Sequence, residues 1–366
     1  MRRAAALIVG GGPAGATAAI LLARAGVKPL LVEREREAGD ALCGGFLSWH
    51  TLAALDRLGL DRGALGGVPI DRVRLFAGRH RAEALLPAGA VGLSRHALDS
   101  ALLALAARSG AGVERGVAVR EADAERHVRL EDGGTIRADA LLLATGKHDL
   151  RGLPRPREAA GDDPALGLRL HLAAGSGLSG AIRGVIELHL FDRGYAGLLL
   201  QEDGRANLCM AVRKSRLAEA GGKPEALLAA IAAEAPALAE RLAAAPPLPG
   251  FDAVGAVPYG WRARDTAPGL FRLGDQAGVI ASLAGEGVGI AIASGTRAAR
   301  MLITGGPDAA QAYQRALARR LRGPVRTAEG LRAIGERPAV APVLAAAMRA
   351  APGLARLLAR ATRIDA

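Results

Sequence analysis

The chain has 366 residues, 50% hydrophobic and 23% charged, which suits two or three domain-sized units with sizeable cores and excludes long disordered tails. Forty-eight basic residues against 36 acidic ones leave a net charge of +12, yet aromatics make up only 3%, too few for base-stacking platforms, so nucleic acid is not an expected partner. No apolar run reaches the ~18 residues of a membrane span, and two cysteines, Cys43 and Cys209, can build neither a disulfide framework nor a four-ligand zinc site.

The chain opens on Met1-Arg2-Arg3 and passes straight into a strand pattern without a small-residue cleavage site, so a cytoplasmic protein is expected. Ala4 to Val9 is an unbroken apolar run, as a strand buried on both faces requires. Gly10-Gly11-Gly12-Pro13-Ala14-Gly15 follows, then a helical run to Ala25 stopped by Gly26, then a second apolar run from Pro29 to Val32 that ends at Glu33. This is a complete β-loop-α-β unit with a GxGxxG loop. Gly10 permits the tight turn, Gly12 lets backbone approach a pyrophosphate, and Gly15 lets helix and strand pack closely. The helix start offers unpaired N–H groups and about half a positive charge to phosphates. Glu33, 18 residues after Gly15, can accept hydrogen bonds from a ribose diol.

Ser94 is placed to cap a helix running to Arg108, and strands are predicted at 128–130 and 140–144. From 168 to 212 alternating runs such as 185–190 and 195–200 predict antiparallel strands. Residues 223–244 read as helical, 270–273 as a strand and 286–302 as a helix. The tail, 308–366, reads as helices broken at Pro324, Pro338, Pro342 and Pro352. Asp275 follows the 270–273 strand, which puts its carboxylate at the carboxyl edge of a sheet, where a polyol chain could meet it. Taken alone, Asp275 also suits a simple helix cap. Gly285, Gly287 and Gly289 let a ligand lie against bare backbone as the next helix begins, and that helix start favours negative charge.

The glycine loop with Glu33, Ser94-Arg95-His96-Ala97-Leu98-Asp99, Ala144-Thr145-Gly146-Lys147-His148 and the block from Gly274-Asp275 to Gly295 together resemble FAD-dependent oxidoreductases of the geranylgeranyl reductase type. These lie within the flavoproteins of the para-hydroxybenzoate hydroxylase fold. The resemblance implies an α/β protein: a Rossmann-like FAD-binding domain of the glutathione-reductase type, an antiparallel-sheet substrate domain and a helical C-terminal tail. The expected divisions are 1–70, 94–165 and 255–325 for the FAD-binding domain, 71–93 and 166–254 for the substrate domain, and 326–366 for the appendage. It further implies that Gly10, Gly12, Pro13, Ala14 and Gly15 hold the pyrophosphate, Glu33 and Arg34 the adenosine end, and Val119 the adenine through its backbone. Cys43 and Gly44 would lie beside the flavin ring, Asp275 on the ribityl chain, and Gly146, Gly285, Gly287 and Val288 around the ring system. Arg95 would reach the cofactor from a helix start, where a cation is otherwise disfavoured; pairing with Asp99 at i, i+4 is the competing reading. Cys43 and Tyr195 are the candidate catalytic residues.

Two departures direct the functional expectation. The reductases' Tyr-x-Trp-x-Phe-Pro strand reads Tyr195-Ala196-Gly197-Leu198-Leu199-Leu200 here, and Gly-Gly-Phe follows Cys43 where archaeal reductases have Gly-Glu-Gly. The expected activity is therefore a monooxygenase acting on an apolar small molecule, lipidic, aromatic or polyketide-like. Reduction of a carbon–carbon double bond in an isoprenoid is the alternative, and a non-catalytic flavin-binding protein the second. With no second dinucleotide fingerprint, NADH or NADPH is expected as a transient electron donor. No metal is expected. In the tail, Leu354, Leu357, Leu358 and Ala361 share a helical face among Arg349, Arg356, Arg360 and Arg363, a basic amphipathic pattern that suits either closure of the protein's own core or peripheral contact with an anionic membrane.

Overall fold

The computed structural model describes residues 1–365. Its first strand, β1 (Arg2–Val9), passes through the glycine loop into α1 (Pro13–Arg24), and β2 (Pro29–Glu33) returns parallel to β1. β1 shows no alternation because both its faces are covered; Ala6, Leu7 and Ile8 are fully buried. Pro13 starts α1, where a missing N–H is harmless.

The chain then crosses to a second sheet with β3 (Phe46–Leu47), forms α2 (Trp49–Arg57), and builds the long hairpin β4 (Val68–Ala77) and β5 (His80–Gly92). It returns through α3 (Arg95–Arg108), capped as predicted: the Ser94 hydroxyl accepts from the Ala97 N–H at 3.1 Å. β6 (Gly112–Arg115), β7 (Val119–Ala122), β8 (His127–Leu130) and β9 (Thr135–Leu143) follow. The second sheet resumes with β10 (Ala165–Leu172), α4 (Ser176–Ile182), β11 (Gly184–Phe191), β12 (Gly194–Leu200), β13 (Ala206–Arg213), α5 (Lys214–Glu219), α6 (Pro224–Glu234), α7 (Pro236–Ala244) and β14 (Asp252–Val257). Last come β15 (Leu270–Arg272), α8 (Gly287–Gly305), α9 (Ala310–Gly335), α10 (Ala341–Ala350) and α11 (Pro352–Ala361).

The first sheet runs β6-β2-β1-β9-β8-β7, and β15 pairs with the last part of β9. β6, β2, β1, β9 and β15 are mutually parallel. Their carboxyl ends therefore release the glycine loop, Glu33, Ala144 to Gly146 and Gly274-Asp275 at one edge, where ligands bind in open α/β sheets. α1, α3 and α8 pack together on one face of this sheet. The second sheet has the order β14-β10-β13-β12-β11-β4-β5-β3 and is antiparallel except where β11 lies beside β4. Helices α6 and α7 cover one face through Leu227, Ile231 and Leu238. The opposite face carries Leu75, Leu190 and Tyr195, against which α10 packs Ala341, Ala345 and Met348.

Prolines overturn two expectations. The predicted 223–244 helix is two helices, because Pro236 starts a new one. Pro324 does not break the tail but lies inside α9. Its ring withholds one N–H and crowds the carbonyl a turn earlier, yet the helix continues because the buried stripe of Tyr313, Leu317, Leu321, Val325 and Ala328 holds it on both sides. Pro342 and Pro352 stand in the first turns of α10 and α11, where proline is tolerated.

Candidate active site

The glycine loop is shaped by close backbone approach. Gly10 has φ +108°, and a methyl group there would fall 2.4 Å from the Ala144 carbonyl oxygen. A methyl at Gly15 would fall 2.0 Å from the Gly10 carbonyl oxygen, so α1 could not seat on β1. Glu33, at the end of β2, accepts the Gly11 N–H at 2.6 Å and the Glu35 N–H at 3.0 Å. Val117 donates its N–H to the Glu33 carbonyl at 2.9 Å, which runs the 117–119 segment beside the end of β2. Val119 is half-buried there, while Arg34 is exposed and paired with Glu35 at 3.0 Å.

A cavity of about 330 Å³ extends from this loop between the two sheets. Gly12, Pro13 and Ala14 line it on one side; Asp275, Gly287 and Val288 line it on the other. Arg95, Gly146, Cys43, Gly44 and Gly285 complete the end nearest the first sheet. Gly10, Gly15, Glu33, Arg34 and Val119 lie outside the lining. Arg95 pairs with Asp99 and also lines the cavity. It forms a two-pronged pair with Asp99, Nε to Oδ1 at 2.9 Å and Nη2 to Oδ2 at 2.6 Å, and its Nη2 also flanks Gly12. Burial opposes its charge, but Asp99 more than offsets this and keeps the guanidinium protonated.

Asp275 carries a partner that sequence reasoning missed. Lys147 Nζ stands 3.3 Å from Asp275 Oδ2, and Asp275 raises the ammonium's affinity for its proton. Lys147 is among only four lysines in the chain and follows a strand end within a quoted motif, a signal that was available. Gln276 donates to the carbonyls of Gly146 and His148, both at 2.9 Å, and ties the β9 and β15 ends together.

Beyond the charged end, the cavity runs along the second sheet and becomes apolar, with Val73, Leu75, Ile186, Leu188 and Leu190 lining it. Three hydroxyls interrupt this wall. Tyr195 Oη accepts the Leu283 N–H at 2.9 Å, and Tyr259, beside it, pairs with Ser282 Oγ at 2.7 Å. Burial raises both phenols, Tyr195 well above the ordinary value. Cys43 and Cys209 both reach the lining. Asn207 Nδ2 fixes the Cys43 carbonyl at 2.9 Å, and burial pushes the Cys209 thiol up to about 12.

The tail closes the far side. Leu344 and Met348 of α10 and Leu354 and Leu358 of α11 line the cavity. Arg363 pins this tail to the loop before α8: its Nη1 donates to the Ala284 carbonyl at 2.7 Å and to Glu286 Oε2 at 2.8 Å, and its guanidinium lies 4.9 Å from the Trp49 ring centroid. Glu286 is fully buried and also accepts from Ser48 Oγ at 3.0 Å. Burial raises its carboxyl despite Arg363. Neither Glu286 nor Arg363 was assigned a site role from sequence. A lone acid inside the 285–289 glycine run was the available signal.

The groove fits a flavin dinucleotide. α1 and α8 both begin without a side-chain cap and both start at the cavity, so two sets of free N–H groups face it. A methyl group at Gly44, Gly146 or Gly287 would meet nothing within 4 Å, which leaves bare backbone beside open space. Gly12 has only the Arg95 side chain near it. Uncapped N–H groups at two helix starts and a polyol acceptor at Asp275 match the anionic and hydroxyl parts of FAD, while Glu33 stands beside the glycine loop outside the lining.

These features define a flavin-binding α/β protein of the para-hydroxybenzoate hydroxylase type. Residues 3–149 match the family described as FAD binding domain. An uncharacterized protein from the nifH2 5′ region of Methanosarcina barkeri is 32% identical over 158 residues, covering 39% of this chain and 83% of that protein. The chain belongs to one family with that protein, and its residues 3–149 form an FAD-binding domain. A 2-heptyl-3-hydroxy-4(1H)-quinolone synthase from Mycobacteroides abscessus is 35% identical over 150 residues, 39% of this chain. The matched segment spans only 40% of that relative's length. Two solved structures share the fold over nearly the whole chain. A geranylgeranyl bacteriochlorophyll reductase-like protein from Thermoplasma acidophilum superposes with a TM-score of 0.70 at 19% identity, covering 98% of this chain and 100% of that one. PqsL, a probable FAD-dependent monooxygenase from Pseudomonas aeruginosa, gives 0.68 at 17% identity, covering 94% and 99%.

Proposed function

We propose that this protein is an FAD-dependent monooxygenase that hydroxylates an apolar small molecule bearing a carbonyl or hydroxyl oxygen. The observation that carries this reading is the continuity of one cavity, charged and glycine-lined where the cofactor belongs, apolar with three hydroxyls along the second sheet. The overall balance is substrate, dioxygen, a reduced nicotinamide and a proton giving hydroxylated substrate, water and oxidised nicotinamide. Bound FAD supplies the two-electron transfer and the activation of dioxygen.

The chain's own residues bind, orient and exclude water. The α1 and α8 starts, with Arg95 and Lys147, offset the cofactor's negative charge. Asp275 would hold the ribityl hydroxyls as an acceptor. Tyr195 has its oxygen engaged by the Leu283 N–H, so the phenol is held in place with its proton directed elsewhere, toward Tyr259 or a substrate oxygen. Burial keeps that phenol neutral, and hence a donor, through alkaline pH. Cys43, the other candidate catalytic residue, lines the glycine-rich end of the cavity with Gly44 and Gly45. The β10–β14 sheet and the tail keep bulk water from the reacting carbon.

The likeness to a reductase-like structure favours one second reading, hydride delivery to a carbon–carbon double bond. One experiment separates the two. FAD-loaded protein is given NADH or NADPH and a panel of quinolones, phenols and isoprenoids under isotopically heavy dioxygen. Monooxygenation incorporates one heavy oxygen atom into the product and consumes oxygen with substrate. A saturated, unlabelled product formed without oxygen uptake overturns the monooxygenase reading in favour of the reductase.

A further inference from the structure

The two helices that wall the substrate cavity have an unusual outer surface. Among the described residues, six large hydrophobic side chains are exposed, and three of them, Val340, Val343 and Leu357, fall within the short stretch that forms α10 and α11. Val343 is 60% exposed and Leu357 63%. The same stretch carries Arg337, Arg349, Arg356 and Arg360, all exposed. Residues 337–364 contain five arginines and no acidic residue. Residues 309–364 hold eleven arginines against two glutamates, a surplus of nine charges in a chain whose net charge is +12. The inner surface of these helices is committed to the protein: Ala341, Ala345 and Met348 dock on the second sheet, and Leu354 and Leu358 face the cavity. Arg363, the fifth arginine, is spent on Glu286.

We propose that the α10–α11 surface docks on an anionic phospholipid bilayer, with Val340, Val343 and Leu357 entering the headgroup boundary and the four exposed arginines meeting lipid phosphates. Charge complementarity selects this occupant. A second copy of the chain would bring the same arginine surplus against itself, whereas an anionic surface is drawn to it. Arginine also pairs with phosphate through two parallel N–H bonds. No helix among the described residues is long and apolar enough to span a bilayer, so the contact is peripheral. Because the docked helices are themselves the cavity wall, a substrate dissolved in the bilayer lies one helix thickness from the cavity. That last consequence rests on the apolar-substrate reading above; the docking does not.

The test is cosedimentation of the FAD-loaded full chain with vesicles of phosphatidylcholine, alone or with about one third phosphatidylglycerol. Binding to the anionic vesicles should fall at least about tenfold between low and high salt, and be weak on neutral vesicles at any salt. The double substitution Val343→Glu and Leu357→Glu changes only outward side chains and should lower anionic-vesicle binding at least about tenfold while leaving flavin content and melting temperature unchanged. Arg356→Gln with Arg360→Gln should lower it also, and flatten the salt dependence. No binding to anionic vesicles at low salt overturns the proposal. So does retention of binding in both double variants, or concentration-dependent dimerisation that the Glu variant abolishes. Vesicle binding is read without turnover, so a failed oxygenase assay with intact binding refutes the function proposed above and not the docking.

Discussion

Arg363→Met removes the arginine paired with the fully buried carboxylate of Glu286, and its consequence can be worked out from the site. Glu286 is 0% exposed, and its partners are Arg363, Ser48 and the Ile364 N–H. Stripping the cation from such a pair costs about 3–5 kcal/mol when the remaining charge must stay. Glu286 has a cheaper route, since it can take up a proton. From an ordinary carboxyl value of 4.5, neutralisation costs about 1.4 kcal/mol per pH unit, and because the parent's carboxyl is itself raised the deficit is at most about 3 kcal/mol at pH 7, 5 at pH 8 and 1 near pH 5.5. The sign follows from burial. A carboxyl whose folded value is raised above its unfolded one binds its proton more tightly when folded, so its stability contribution is intact at low pH and lost as pH rises. The variant's deficit relative to the parent should therefore be small at pH 5.5 and grow steadily to pH 8. Loss of the Ala284 carbonyl bond and the Trp49 contact adds a constant part of about 1–2 kcal/mol. Melting temperatures of both proteins, measured across that range, give the answer directly. Glu286→Gln combined with Arg363→Met should remove the pH-dependent part. A deficit equal at pH 5.5 and pH 8, or one unchanged by the second substitution, would refute the reasoning.

Gly15→Ala should release the flavin, because its methyl group lands 2.0 Å from the Gly10 carbonyl oxygen and forces α1 off β1 at more than about 3 kcal/mol; gel filtration that leaves flavin and protein in equal amounts contradicts this. Asp275→Asn should weaken FAD binding about tenfold or more by removing an anionic acceptor and leaving Lys147 unpaired, read by fluorescence titration of the apoprotein, with unchanged affinity as the adverse result. Tyr195→Phe removes one hydrogen bond of about 0.5–1.5 kcal/mol and should raise KM about three- to tenfold for oxygen-bearing substrates while sparing their deoxygenated analogues; an equal effect on both classes argues against a substrate contact. Cys209, with its thiol raised to about 12, holds only about one part in ten thousand as thiolate at pH 8 and should resist iodoacetamide in the holoprotein, as peptide mapping can establish.

How legible each part was follows from what kind of constraint it is. The cofactor loop could be read because backbone approach is written directly as glycine: Gly10 and Gly15 have no tolerable substitute, and Ala14 and Gly12 line the cavity as the motif requires. Asp275, Gly287 and Val288 were legible as cavity-lining positions from their places after a strand end and at a helix start. Arg95 was legible as an anomaly, a cation in a first helical turn, and the Asp99 pair and the Gly12 contact both account for it. Partnerships between remote segments were not legible. Nothing in the local pattern joins Lys147 to Asp275 or Arg363 to Glu286, since one residue's charge carries no label for the other's position. The β4–β5 hairpin hid for a related reason. Arg74 is buried within a strand that should alternate, and it is tolerated only because Glu187 at 2.6 Å and Glu83 at 2.7 Å come to meet it. Pro324 misled because a local rule was outweighed by a buried stripe on a 26-residue helix.

The groove's two walls come from opposite ends of the chain, Gly12 to Ala14 near its beginning and Asp275 to Val288 close to its end. A ribosome that has released residue 149 has delivered the segment that matches the FAD-binding family but only half of the place where FAD is held. β15 and α8 have yet to be translated, and α1 has α3 but not α8 to lie against. Vectorial synthesis thus leaves the α8-facing flank of α1 uncovered until α8 has been made. Closure of the groove waits for β15 and α8, and it is a long-range contact that completes it.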